Sequence, residues 1–110
     1  MKLLIGNRDI TGFEWDEGNT NKNRLKHNVT TQECEEVFSH KPLIMFFDVD
    51  HSSEEDRYKV FGTSIAGRFL TLAVTTRSNK IRVIMARDQS KKERKSFNDV
   101  QKELRGEEHD

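Results

Sequence analysis

The chain has one cysteine, one proline and no apolar run longer than the five residues from Leu43 to Phe47. A lone Cys34 excludes an internal disulfide framework and any multi-cysteine zinc site. The five-residue run falls far short of the ~20 apolar residues that a membrane-spanning helix needs. Leu3, Leu4 and Ile5 give way to polar residues too soon for a secretory signal. Phosphate-binding glycine loops, a serine-nucleophile elbow and internal repeats are all missing from the 110 residues. The mean hydropathy of -0.86 approaches that of disordered chains. However, Leu, Ile, Val and Phe together make up 27 of 110 residues, above the roughly 20% below which disorder is expected. The expectation is a soluble, cytoplasmic protein with no cofactor: an extension over 1–12, one domain over 13–105 and a frayed tail over 106–110.

Charge is balanced in total, with 19 basic and 19 acidic residues, but segregated along the chain. Residues 33–56 hold eight acids and one base, and residues 77–95 hold eight bases and two acids. A neutral total argues against indiscriminate coating of nucleic acid, whereas a local basic segment suits one defined polyanion.

Periodicity and capping signals predict an α+β fold: two N-terminal helices, a four-stranded antiparallel sheet and a C-terminal helix. Phe13-Glu14-Trp15 reads as a short extended piece, and Asp16 as the N-cap of a polar helix over about 17–27. Asn28 occupies the left-handed position that follows it. Thr30 and Glu33 form a capping box, with Val29 and Cys34 placed as a hydrophobic staple. The helix to about Phe38 buries Cys34, Val37 and Phe38, and His40-Lys41-Pro42 ends it. Strands follow over about 43–49, 57–64, 69–77 and 80–87, joined by an acidic loop over 50–56 and by two tight turns. Ser90 and Glu93 form a second capping box, and Phe97, Val100 and Leu104 mark the apolar stripe of the last helix.

The hairpins predict where the cations point. A two-residue loop at Ser78-Asn79 sets Arg77 opposite Lys80, Thr75 opposite Arg82 and Val74 opposite Val83. Side chains alternate along a strand. Leu70, Leu72, Val74, Ile81, Val83 and Met85 then form a core face covered by helices, with Arg87 at the end of that row. Thr71, Thr75, Arg77, Lys80 and Arg82 share the other face. For the preceding hairpin, a two-residue turn at Ala66-Gly67 would bury Arg57. A three-residue loop Ile65-Ala66-Gly67 sets Arg57 beside Thr75 and Arg82 instead, and the cost of burying an unpaired arginine favours it.

Other motifs fail on spacing. Asp48, Asp50 and His51 begin like a calcium loop, but Ser53 stands where glycine is needed and Lys59 where a bidentate carboxylate is needed. Cys34 lies on an apolar helix face and reads as a core residue, not a nucleophile. His27 closes a polar helix, where the dipole favours a cation; it is either a C-terminal cap or a proton carrier.

The ordered series Phe13-Glu14-Trp15-Asp16, Asn23, Lys26-His27, Val29 and Glu36-Val37-Phe38 resembles the opening of BrnT-type toxins. Glu55-Asp56-Arg57, Gly62, Gly67-Arg68, Thr76-Arg77, the run from Ile81 to Arg87, and Glu93-Arg94 continue the resemblance across about residues 13–97. The resemblance implies a RelE-like two-layer fold and a ribonuclease toxin of a type II toxin–antitoxin pair that inhibits translation. It also implies a BrnA-like ribbon-helix-helix antitoxin, through which alone the complex would reach operator DNA. Metal-independent RNA cleavage uses the substrate's own 2′-hydroxyl, so the protein must hold the phosphate, stabilise its charge and move two protons. Arginine forks suit the phosphate but do not readily serve as bases. The expected catalytic set is Arg57, Arg77 and Arg82 on the phosphate, with His27 and Lys26 for protons or charge. Lys80, Arg87 and Arg94 are expected to bind RNA. Arg68, in the turn with Gly67, reads as dispensable for toxicity.

Overall fold

The structure, a computed structural model, describes residues 3–5, 8–20 and 27–109, with side chains described over 9–20 and 27–103. The elements are β1 (Leu3–Ile5), β2 (Arg8–Ile10), β3 (Gly12–Glu14), α1 (Thr31–Ser39), β4 (Ile44–Phe47), β5 (Arg57–Thr63), β6 (Phe69–Arg77), β7 (Lys80–Asp88) and α2 (Lys91–His109). Residues 17–20 and 27 are also helical, and Val49–His51 form a 3-10 turn.

The caps are those that the sequence predicts. Thr30 accepts from the Glu33 N–H while the Glu33 carboxylate accepts from the Thr30 N–H, closing the box that starts α1. Asp16 and Asn19 bond each other's backbone N–H in the same reciprocal way. Asn28 has φ 54°, and Ser78 and Asn79 have φ 51° and 63°, as the left-handed residues of a two-residue hairpin loop. Gly67, at φ +91°, closes the three-residue loop.

The expected four-stranded antiparallel sheet is instead a five-stranded mixed sheet, in the order β3-β7-β6-β5-β4. The added strand, β3, runs parallel to β7. Its three residues are too few for a readable period, and tertiary contacts fix them. Phe13 packs edge-on against Phe38 at 5.4 Å, and the Trp15 Nε1–H donates to Glu35. Upstream, the stretch expected to be a bare extension contains the antiparallel β1–β2 hairpin, whose Ile10 packs against the core.

A second correction comes from a β-bulge in β7. Val74 faces Val83 as expected, but Ala73 faces Met85, so one extra residue lies between these pairs. The phase of β7 flips beyond it. Ala86, not Met85, becomes the core residue opposite Leu72, and Arg87 moves from the core row to the face of Arg82.

Val29, Cys34, Val37, Phe38, Val60, Leu70, Leu72, Val74, Ile81, Val83 and Ala86 form the core between α1 and one sheet face. At Gly62 an added Cβ would lie 2.7 Å from Val37, so glycine allows α1 to approach β5 this closely. The C-terminal helix does not join that layer. Its Phe97 is fully buried against Phe69, and its Glu93 accepts from Thr71, both on the opposite face. The protein thus has helices on both sides of the sheet, and Thr71 and Thr75 are buried, not solvent-facing.

Candidate functional site

The register brings three arginines to one face. Arg57 and Arg82 both face Thr75, from β5 and β7, and Glu14 faces Arg82 from β3. The row across four strands is therefore Glu14, Arg82, Thr75, Arg57, with about 4.8 Å between neighbours. Arg77 lies two residues along β6 from Thr75, on the same face. The buried Thr75 hydroxyl donates to the Asp56 carbonyl, tying the acidic loop to the centre of the row.

Carboxylates hold all three cations, and those of Glu14 and Asp16 were not foreseen from the sequence. Arg82 Nη1 is 3.0 Å from Glu14 and 2.8 Å from Asp16, and its Nη2 is 3.1 Å from Asp16. Arg77 lies 3.5 Å from Glu55 and 4.0 Å from Glu14, and Arg57 lies 4.0 Å from Glu55. The Arg82 guanidinium holds the Asp16 carboxyl below its ordinary range, and Asp16 in turn raises Arg82 above its usual value. Arg82 is the most enclosed of the three, its side chain 15% exposed against 49% for Arg77 and 37% for Arg57. The signal for the carboxylates was present in the Glu14-Trp15-Asp16 triplet, but it required the parallel pairing of β3 to be interpreted.

Of the other expected site residues, Lys80 lies beside this row and the remaining described ones lie elsewhere. Lys80 faces Arg77 at the hairpin end. Arg87 grips Glu93 with both guanidinium ends, at 2.6 and 2.9 Å, and Arg94 stacks 4.0 Å above the Phe69 ring. His27 stands by Arg68 and Asp88: its carbonyl accepts from Arg68, whose guanidinium holds the Asp88 carboxyl below its ordinary range. Asp88 faces Leu70, five residues along β6 from Thr75, or about 17 Å at strand rise. Lys26 lies outside the described residues. Asp48 is bonded to the His51 ring at 2.9 Å, and among the described residues no three metal-ligating side chains gather.

Cys34 and Glu93 have environments that make them poor as nucleophile and as base. Burial pushes the Cys34 thiol up to about 12, so it is not a thiolate at neutral pH. A thiol reagent is expected to leave native Cys34 unmodified and to react only after denaturation; rapid native labelling would contradict its core placement. Glu93 closes the Ser90 capping box and also accepts from Arg87 and Thr71. Arg87 above all lowers its carboxyl from 4.5 to about 2, leaving a weak base. A depressed folded-state pKa means that this carboxylate stabilises the fold fully above pH 4.5 and loses that contribution as pH falls towards about 2. Acid unfolding of a Glu93→Gln variant is therefore expected to show a shallower stability slope across that interval; an unchanged slope would show that the pair contributes nothing.

The described helices include none long and apolar enough to cross a membrane. No curated protein matches the chain. The family model described as "Ribonuclease toxin, BrnT, of type II toxin-antitoxin system" matches residues 15–93, which spans α1, the sheet from β4 to β7 and the first turn of α2. With most of its length matched, and with three arginines gathered on one sheet face, the chain belongs to the BrnT family of ribonuclease toxins of type II toxin–antitoxin systems.

Proposed function

We propose that the chain is an endoribonuclease that cleaves RNA by attack of the substrate's 2′-hydroxyl, with Arg57, Arg77 and Arg82 holding the scissile phosphate. The observation that carries this reading is the convergence of the three guanidiniums on one face from β5, β6 and β7. Three fixed cations supply the charge stabilisation that the pentacoordinate phosphate needs, without assigning that task to a metal ion. Arginine stays protonated, so the 2′-hydroxyl proton passes to another group. Glu14, 3.0 Å from Arg82, is a carboxylate at this spot, and Lys26 is the other candidate for proton transfer; His27, at the Asp88 end about 17 Å along the sheet, is too far from the row to take that proton. Lys80 extends the cationic face for flanking RNA, and Arg87 and Arg94 extend it at the far end once their contacts to Glu93 and Phe69 are exchanged. The reading includes a RelE-like relation of the fold, translation inhibition in the cytoplasm, and silencing by a BrnA-like ribbon-helix-helix antitoxin that alone carries the complex to operator DNA.

Induced expression of the chain is expected to arrest growth, and co-expression of the antitoxin to restore it. Purified protein is expected to cleave RNA in excess EDTA. Cleavage abolished by EDTA and restored by magnesium or manganese would overturn the arginine-only reading. The carboxylates on Arg77 and Arg82 favour one alternative: a weakly active partner in a repressor complex, whose cations serve protein contacts. Full growth at verified expression of folded protein would support that alternative.

A further inference from the structure

We infer that β4 is the docking edge for the antitoxin, which adds an extended segment alongside Ile44–Phe47, apolar on both faces and followed by basic side chains. The inference rests on the family's antitoxin partner and goes beyond it by naming the surface. The sheet order ends at β4, and β5 is the one strand paired with it among the described residues. Half of its backbone N–H and C=O groups therefore face outward. Natural edges of this kind are commonly blunted by lysine, proline or a bulge. Ile-Met-Phe-Phe has no charge and no proline, and the irregularity in this sheet lies between β6 and β7, at Ala73/Val74, away from β4.

The side chains repeat the message of the backbone. Phe46 leans on Phe61 at 5.4 Å on one face of the sheet, and Phe47 on Tyr58 at 5.8 Å on the other. Each remains more than 40% exposed, and Val49 just beyond is 76% exposed. Two aromatics thus straddle an open edge. A strand added beside β4 would set its own side chains about 5 Å from both and satisfy the outward backbone groups, which is strand addition as peptide recognition uses it. Asp50, Glu54 and Asp56 are exposed in the loop that follows, so the complementary segment carries Lys or Arg where it passes that loop. The edge adjoins the arginine face without including it: Asp48 N–H bonds the Arg57 carbonyl, one strand out from the guanidinium row. Antitoxin binding and RNA cleavage are therefore separable by mutation.

The test combines amide exchange with one substitution, using the full chain and its purified cognate antitoxin. Amides of residues 44–47 are expected to become protected when the antitoxin binds wild-type protein. Phe46→Lys should weaken binding by about 100-fold and leave RNA cleavage by the free toxin unchanged, so that its toxicity escapes the antitoxin. Val100→Lys on α2 should bind normally. Binding of wild-type protein with β4 still exchanging freely, or Phe46→Lys binding within about threefold of wild type, would overturn the edge assignment while leaving the toxin–antitoxin reading intact. Absence of binding by wild-type protein would overturn both. Protection of β4 in the free toxin that grows with its own concentration would assign the edge to a second copy of the chain and overturn the antitoxin assignment.

Discussion

Replacing Arg82 by alanine is expected to reduce RNA cleavage by roughly 100- to 1,000-fold, the effect of removing one preorganised donor from a developing oxyanion. Arg82 is the guanidinium best placed for such an effect. It sits within β7, its side chain is largely enclosed, and Glu14 and Asp16 hold its planar fork in one orientation. A phosphate would take the place of those carboxylates, so the rotamer needed for substrate is already set. The same contacts join β3 to β7, and Arg82→Ala should lower the melting temperature modestly because it takes the cation from Asp16 and leaves Glu14 with the more distant Arg77. Arg82→Lys separates the two roles. An ammonium keeps the charge between Glu14 and Asp16 and should restore most of the stability, but it loses the bidentate fork and should recover activity only in part. A folded Arg82→Ala protein with wild-type cleavage would remove this residue from the site.

Arg68→Ala is expected to have the largest effect on stability, about 2–4 kcal/mol in chemical denaturation. In the sequence this turn arginine reads as dispensable for toxicity alone; in the fold it joins four segments. Its Nε and Nη2 bond the two oxygens of Asp88 at 2.7 and 3.2 Å, its Nη1 bonds the Asn28 carbonyl at 2.8 Å and Glu33 at 3.2 Å, and its Nη2 also bonds the His27 carbonyl at 3.1 Å. Burial works to raise the Glu33 carboxyl, and the Thr30 N–H and Arg68 together outweigh it. Removing the guanidinium would strand two carbonyls and loosen the capping box of α1 at once. Arg68 lies at the opposite end of β6 from Arg77, so the folded fraction should retain normal cleavage per molecule. An unchanged denaturation midpoint would show that solvent replaces these bonds at no cost.

These two residues also show what was legible in the sequence. Local chemistry was readable: the capping boxes at Thr30 and Ser90, the left-handed Asn28 and the Ser78-Asn79 loop each depend on residues within four positions of one another. Register followed from loop length, which is why Arg57, Thr75 and Arg82 fall side by side as expected. The bulge after Val83 was not readable, because an extra residue in an apolar run leaves no mark in composition. It reassigned Met85, Ala86 and Arg87 together. The parallel pairing of β3 was equally hidden, since three residues carry no period, and with it went the Glu14 and Asp16 contacts to Arg82. The position of Arg68 shows the same limit: its partners lie 20 to 41 residues away along the chain, beyond any local signal.

The central claim, that the arginine row holds a phosphate for attack by its neighbouring 2′-hydroxyl, is tested most directly on the cleavage products of a defined RNA. Mass analysis of fragments made by the purified wild-type toxin should find a 2′,3′-cyclic phosphate on one side of the cut and a 5′-hydroxyl on the other, and a single 2′-deoxy substitution at the cleaved position should abolish that cut. A 5′-phosphate product, or unimpaired cleavage at the 2′-deoxy position, would contradict the account.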